Sequence, residues 1–196
     1  MLERRLHGKI DRIGSNSSSL NFSDANGDRH GSIAISAIDP ASAATCLIDW
    51  LETKGVLQQI AAVGHRLVHG WSRMEPEIVT QALIDDLHSL EAIDPDHLPR
   101  EIELIEAVRR RAPGLPQVAC FDTEFHRRMP RVARMMAIPR RFDEKGVQRY
   151  GFHGLSYAYL MEELARSAGP SVAQGRVILA HLGNGAKLAA VLVDRV

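Results

Sequence analysis

Cysteine is scarce in this chain. Cys46 and Cys120 stand far apart and form no CxxC pair, which argues against a disulfide scaffold and against a cysteine-based zinc site. Both read better as small apolar residues than as reactive thiols. Net charge is absent as well: 24 Lys and Arg balance 24 Asp and Glu, so nothing in the charge asks for nucleic acid or an anionic membrane as partner. No apolar run approaches the roughly 18 residues of a membrane span, and the opening "MLERRLHGKI" lacks the apolar stretch of a secretion signal. The expectation is a soluble cytoplasmic protein with no membrane partner, in which the sequons at Asn16 and Asn21 are accidental. Three chemical fingerprints are missing too. There is no GxxxxGK[ST], no complete GxGxxG and no HExxH, and the spacing of the nine histidines fits no zinc pattern.

What is present is ordinary globular composition, 45% hydrophobic and 24% charged over 196 residues, enough for one sizeable core or two small ones. The charge is unevenly spread. Residues 100–150 hold twelve Lys and Arg against seven Asp and Glu, so that stretch could face a phosphate or simply be solvated helix. "KIDRI", "SLNFS" and "SIAIS" alternate, with the Asn-Gly of "ANGD" between the last two, and predict an antiparallel meander over the first forty residues. "GSNSSS" (14–19) reads as a turn. Asp39-Pro40 is a helix start, with Ala44, Leu47, Ile48 and Leu51 on one face and Gly55 at the stop. Further helices are expected near Thr80–Leu90, near Pro99–Arg111 with Ile102, Ile105 and Val108 inward, and from a Ser156 cap through Ala165. Apolar runs at 60–70, 117–122 and 177–182 complete an α/β domain whose middle strands are buried on both faces.

Each run delivers polar residues at its carboxyl end: His65, Arg66 and His69; Asp122 and His126; His181 and Asn184. Open α/β sheets bind ligands at such ends, so these groups are expected to converge. Arg66 offers a planar fork for carboxylate or phosphate, or else pairs internally with an acid. Asp122 could orient a hydroxyl, bind Mg²⁺ or cap the next turn. His153 lies in "RYGFHG" between Gly151 and Gly154, which suggest close backbone approach or unusual dihedrals. "VILAHL-GNG-AKLAAVLV" reads as a hairpin whose glycine turn can form an anion-binding nest.

"KIDRIG" (9–14), "VGHRLVHG" (63–70), "CFDTEFHRRMP" (120–130), "RYGFHG" (149–154) and "AHLGNGAKLAAV" (180–191) resemble, in order, successive motifs of the acetate kinase family; "PDHLP" (95–99) is a looser version of its Leu-His-Asn-Pro segment. The resemblance implies an actin-like, ribonuclease H-like α/β domain with a mixed sheet flanked by helices. It implies transfer of the γ-phosphoryl of ATP, with Mg²⁺, to the carboxylate of acetate or a similar short acid, giving an acyl phosphate. It makes Arg66 the ligand of carboxylate or phosphoryl, Asp122 the catalytic carboxylate with an indirect link to Mg²⁺, and His153, as an imidazolium, the donor to the transition state. His181, Gly183, Asn184 and Gly185 become the phosphate- and nucleotide-contacting hairpin; Val68 and Phe152 line the acyl pocket, with His97 beside it. A homodimer is compatible with the resemblance.

The departures are Trp71 in place of the second glycine of "HGG", "GLSY" (154–157) in place of "GTSH", and Asp96 in place of a pocket leucine. A carboxylate there would repel an anionic substrate, leaving the preferred acid open. By the resemblance, residues 1–196 are an incomplete N-terminal acyl-substrate domain without the family's first strand or its C-terminal nucleotide-binding domain. The serine run at 14–19 is then a decoy of the missing phosphate motif, and the chain alone is expected to have little activity. The alternatives are a noncatalytic remnant that binds a small anion or a partner chain, and a histidine-rich metallohydrolase.

Overall fold

Strand alternation, capping residues and helical stripes turn into the expected elements almost one for one in the computed structural model, which describes residues 5–24, 30–73, 75–183 and 185–192. The Asn-Gly turn expected at 25–28 and the residue Asn184 lie outside the described residues. Strands β1 (Leu6–Asp11), β2 (Ser19–Asp24) and β3 (His30–Ala34) form an antiparallel sheet in that order, with Ile10 opposite Leu20 and Leu20 opposite Ile33. The serine run makes the turn between β1 and β2. Its Ser18 hydroxyl is buried within 2.7–3.1 Å of the carbonyls of Ser15, Arg12 and Ala37, so its one proton is directed at backbone.

Helix α1 (Pro40–Thr53) begins as expected: the Asp39 carboxylate accepts from Ser42 N at 2.7 Å while Asp39 N donates to Ser42 Oγ at 3.0 Å, a reciprocal capping box. Strands β4 (Val63–Leu67), β5 (Glu77–Ile78) and β6 (Gln117–Phe121) form a sheet in the order β4-β6-β5. Between β5 and β6 come α2 (Gln81–Ser89), capped by Thr80, and α3 (Leu98–Arg111), which buries Leu98, Ile102, Ile105 and Val108 and packs on α1. Leu47 and Leu51 are only half-buried; with Phe22 and Trp50 they line an apolar cavity of about 470 Å³.

The remaining elements are the short helices α4 (Arg131–Arg134) and α5 (Arg140–Asp143), then α6 (Gly154–Ala168), α7 (Pro170–Ala173) and the antiparallel pair β7 (Arg176–Leu182) and β8 (Ala186–Leu192). Contacts divide the chain into two compact units, Met1–His65 with Ile78–Val118, and Arg66–Glu77 with Ala119–Val196.

Two expectations need correcting. Ser156 does not cap α6: the helix starts at Gly154, runs through Ala168, and has His153 as its N-cap in a left-handed backbone, φ 61° and ψ 23°. Burial on both faces describes β6 but not the β7–β8 pair. One face of that pair carries Ile178, Leu182, Leu188 and Leu192, each 66–81% exposed, because nothing among the described residues lies on it. Among the described residues no helix is long and apolar enough to cross a membrane.

Candidate active site

Four segments of the second unit meet around Asp122. β6 is an apolar run whose last residue, Phe121, is fully buried, so the next residue is carried into the interior; the Asp122 side chain is 2% exposed. Its backbone is fixed by Asp122 N donating to Leu67 O at 2.9 Å. A carboxylate that deep needs partners. Arg66 provides them, donating from Nε at 3.0 Å and from Nη2 at 2.5 Å to the same oxygen, Oδ2. Of the two readings open for Arg66, the internal pair is therefore real. It is also incomplete: three of the guanidinium's five N–H bonds point elsewhere, and its side chain is 57% exposed.

The start of α6 closes the site from a second direction. Gly154 N donates to the Asp122 carbonyl at 2.9 Å and Leu155 N to Asp122 Oδ1 at 3.4 Å. A Cβ at Gly154 would come within 2.2 Å of that carbonyl oxygen, and one at Gly151 within 2.1 Å of the His126 ring. The two glycines thus serve close approach, and the unusual dihedral belongs to His153 between them. His126 Nε2 donates to Phe152 O at 3.1 Å, pinning the segment.

The hairpin is the third contribution. His153 and His181 stack with centroids 3.9 Å apart and planes 8° apart, and Ser156 Oγ lies 3.4 Å from His181 Nδ1. Burial first, then the neighbouring His181, Lys187 and Arg66, hold His153 below its ordinary value of 6.5, with Asp122 pulling the other way. A lowered pKa works against the imidazolium expected at this position, and the ring's Nδ1 is buried without a partner among the described residues. In the turn, Gly183 N donates to Gly185 O at 3.1 Å, and the Gly185 backbone runs beside the His153 ring. Lys187, opposite His181 in the ladder, sits 4.3 Å above the Phe152 ring. Burial holds its pKa down while Asp122 raises it.

Of the residues singled out from sequence, the structure brings together Arg66, Asp122, Phe152, His153, His181, Gly183 and Gly185. Val68 follows β4 in the same unit and is half-buried. His65 belongs to the first unit, where its Nε2 donates to Gln117 Oε1 at 2.7 Å. His97 also belongs to the first unit, where its Nδ1 lies 2.9 Å from Asp94, and Asp96 is exposed. Lys187 and Ser156 were missed as site residues. The three-residue turn fixes the register that sets Lys187 across from His181, which is the signal that could have found it.

Asp122 does not fit as a direct Mg²⁺ ligand, because it is buried and both its oxygens already accept hydrogen bonds. Among the described residues no three His, Cys, Asp or Glu side chains gather as a metal cage.

The pH response of stability follows from the histidines. His65, His126 and His153 are all held below 6.5, chiefly by burial, so the unfolded chain binds their protons first and stability is lost as pH falls from 6.5 toward the folded values. His88 opposes this, since Glu91 raises it and its contribution is fullest at low pH. Three against one, the urea midpoint is expected to be lower at pH 5.5 than at pH 7.5. Tyr157 offers a simpler test. Its ring is fully buried against Phe125 and His126, but its hydroxyl has no partner among the described residues. Tyr157→Phe is expected to stabilise by about 1 kcal/mol in the same urea measurement.

Known proteins resemble this chain over most of its length. A family model described as the Acetokinase family matches residues 2–195. The acetate kinase of Rhodopseudomonas palustris is 48% identical over 147 residues, 74% of this chain and 37% of that protein. The acetate kinase of Nitrobacter hamburgensis is 40% identical over 97% of this chain and 47% of its own length. Among solved structures, a propionate kinase from Francisella tularensis superposes with a TM-score of 0.83 at 30% identity, over 95% of this chain and 48% of that one. Porphyromonas gingivalis acetate kinase gives 0.81 at 30% identity, with the same coverage. The chain spans about half the length, or less, of the curated relatives it matches.

Proposed function

The chain belongs to the acetokinase family, and from that premise we propose that it is the acyl-substrate portion of a phosphotransferase that moves the γ-phosphoryl of ATP to acetate or a similar short carboxylate. The observation that carries this is the half-exposed Arg66 guanidinium, held on one edge by buried Asp122 and left open on the other, beside His153, His181 and Lys187. In such a reaction a carboxylate oxygen attacks the γ-phosphorus. A C–O–P link forms, the bond to the β–γ bridging oxygen breaks, and ADP leaves with the electron pair. Little covalent work falls to the protein; positioning and charge neutralisation carry the rate.

Arg66 would hold the carboxylate or the transferring oxygens through its three remaining N–H bonds, and Asp122 keeps that fork from rotating. His153 would donate a hydrogen bond from its ring, and the hairpin carrying His181, Gly183 and Gly185 would contact the phosphate oxygens. Val68 and Phe152 would face the acyl chain; His97 is assigned beside it on the motif resemblance alone. Magnesium would arrive with ATP. A cytoplasmic setting goes with this reading.

The test is a hydroxylamine trap. With ATP, Mg²⁺ and acetate, the chain alone is expected to form acyl phosphate only slowly, detected as a small hydroxamate signal above the blank that vanishes with Arg66→Ala. A second reading, a noncatalytic chain that binds a small anion at the open edge of Arg66, is favoured by Asp122, both of whose oxygens already accept hydrogen bonds within the protein. Acetyl phosphate binding, seen by shifts of the His153 and His181 ring protons, with no hydroxamate at any enzyme concentration would select it. Neither binding nor hydroxamate would sink both.

A further inference from the structure

The basic stretch at 100–150 is not used by the site around Asp122. Part of it lines a separate cleft of about 290 Å³ in the second unit, where Arg127, Arg134 and Arg149 join Arg73, Trp71 and Tyr150. The charges there are unevenly compensated. Arg73 pairs with Glu77 at 3.3 Å, and Arg127 lies 3.7–3.9 Å from Glu124 and Glu75. Arg134 and Arg149 have no carboxylate partner among the described residues. Their backbones are tied together, because Arg149 N donates to Arg134 O at 2.7 Å, and both residues line the one concavity. Two cations that line one cleft without a carboxylate partner among the described residues favour an anion in it.

The wall beside them is aromatic. Trp71 and Tyr150 stack with centroids 5.8 Å apart and planes 26° apart, and Tyr150 meets His69 edge-on at 4.5 Å. Trp71 holds a left-handed backbone, φ 55°, which a glycine would adopt freely and which costs a bulky residue on the order of 1–2 kcal/mol. Despite that strain the residue remains 39% exposed. An exposed aromatic face next to unpaired guanidinium groups matches a planar ring carrying an oxyanion: the ring stacks, and the forks take the oxygens. The volume is near the lower limit for small-molecule sites, enough for one ring and one charged group.

We propose that this cleft is a second binding site, distinct from the Arg66–Asp122 centre, for a small aryl oxyanion, a single planar ring bearing one phosphate or carboxylate. Trp71 recognises the ring, and Arg134 with Arg149 recognises the anion. The site stands independently of the phosphotransferase reading, because Trp71, Arg134 and Arg149 have no part in that reaction, although its lining shares His126 and Gly151 with the approach to α6.

Calorimetric titration of the 196-residue chain with phenyl phosphate, benzoate, inorganic phosphate and phenol tests this. Phenyl phosphate or benzoate is expected to bind at least about tenfold more tightly than inorganic phosphate or phenol, and whichever of the two binds better identifies the oxyanion. Trp71→Gly, which relieves the backbone and so should fold, is expected to remove that advantage. Arg134→Gln with Arg149→Gln should weaken both aryl anions about tenfold, whereas Arg66→Ala should leave them unchanged. Binding that is absent at millimolar ligand, equal for phenyl phosphate and phosphate, or lost with Arg66→Ala would overturn the proposal.

Discussion

Gly154→Ala is expected to destabilise the protein by about 3 kcal/mol, lowering the melting temperature of a chain this size by roughly 6–12 °C. The added Cβ would sit 2.2 Å from the Asp122 carbonyl oxygen and 2.9 Å from Phe125 Cβ, and the nearer of these is backbone that cannot swing aside. Relief requires α6 to back away from β6. That breaks the 2.9 Å bond from Gly154 N and the weaker one from Leu155 N, both of which end on Asp122. Gly114→Ala is the control, because its Cβ would meet nothing within 4 Å and its φ is unexceptional. It should melt within about 2 °C of the parent. Equal melting of the two variants would show that the helix start does not seat on Asp122 as described.

The Arg66–Asp122 pair should respond asymmetrically to truncation. Arg66→Ala strands a carboxylate that is 2% exposed with only the 3.4 Å contact from Leu155 N, and is expected to cost about 2–4 kcal/mol. Asp122→Ala leaves a guanidinium that is already 57% exposed and can hydrate, and should cost only about 1 kcal/mol. Adding Asp122→Asn to Arg66→Ala removes the stranded charge and should recover much of the loss without restoring anion binding. Urea midpoints of the three variants read this directly. A costlier Asp122→Ala than Arg66→Ala would mean that the pair is held by something other than burial of the acid.

Local rules carried far in this sequence, as Asp39-Pro40, Thr80 and the alternation before residue 40 show. In each case a cap, a turn or a face is settled within a few residues, where short-range sterics dominate. The failures sit where two distant segments decide together. Ser156 has the chemistry of a cap, but Asp122, 32 to 33 positions upstream of Gly154 and Leu155, already accepts from their N–H groups, so the helix begins earlier. Arg66 could be read as a ligand for substrate or as an internal partner, and the choice depends on a contact across 56 residues. The convergence of Arg66, Asp122 and His153 was legible from strand ends and motif order. The lowered pKa of His153 was not, since it arises from burial and then from His181, Lys187 and Arg66 around a folded ring. Leu47 and Leu51 fall short of full burial because a stripe on a helix says which side is apolar, not how much material lies against it.

The β7–β8 ladder presents Ile178, Leu182, Leu188 and Leu192 to water on a single side. In a concentrated preparation that stripe should govern colloidal behaviour more than net charge does, because the chain is formally neutral and offers little long-range repulsion. Light scattering is expected to report reversible clustering that salt promotes and dilution reverses. Leu188→Lys, in the middle of the stripe, should shorten retention on a phenyl resin while leaving the helical circular dichroism signal intact.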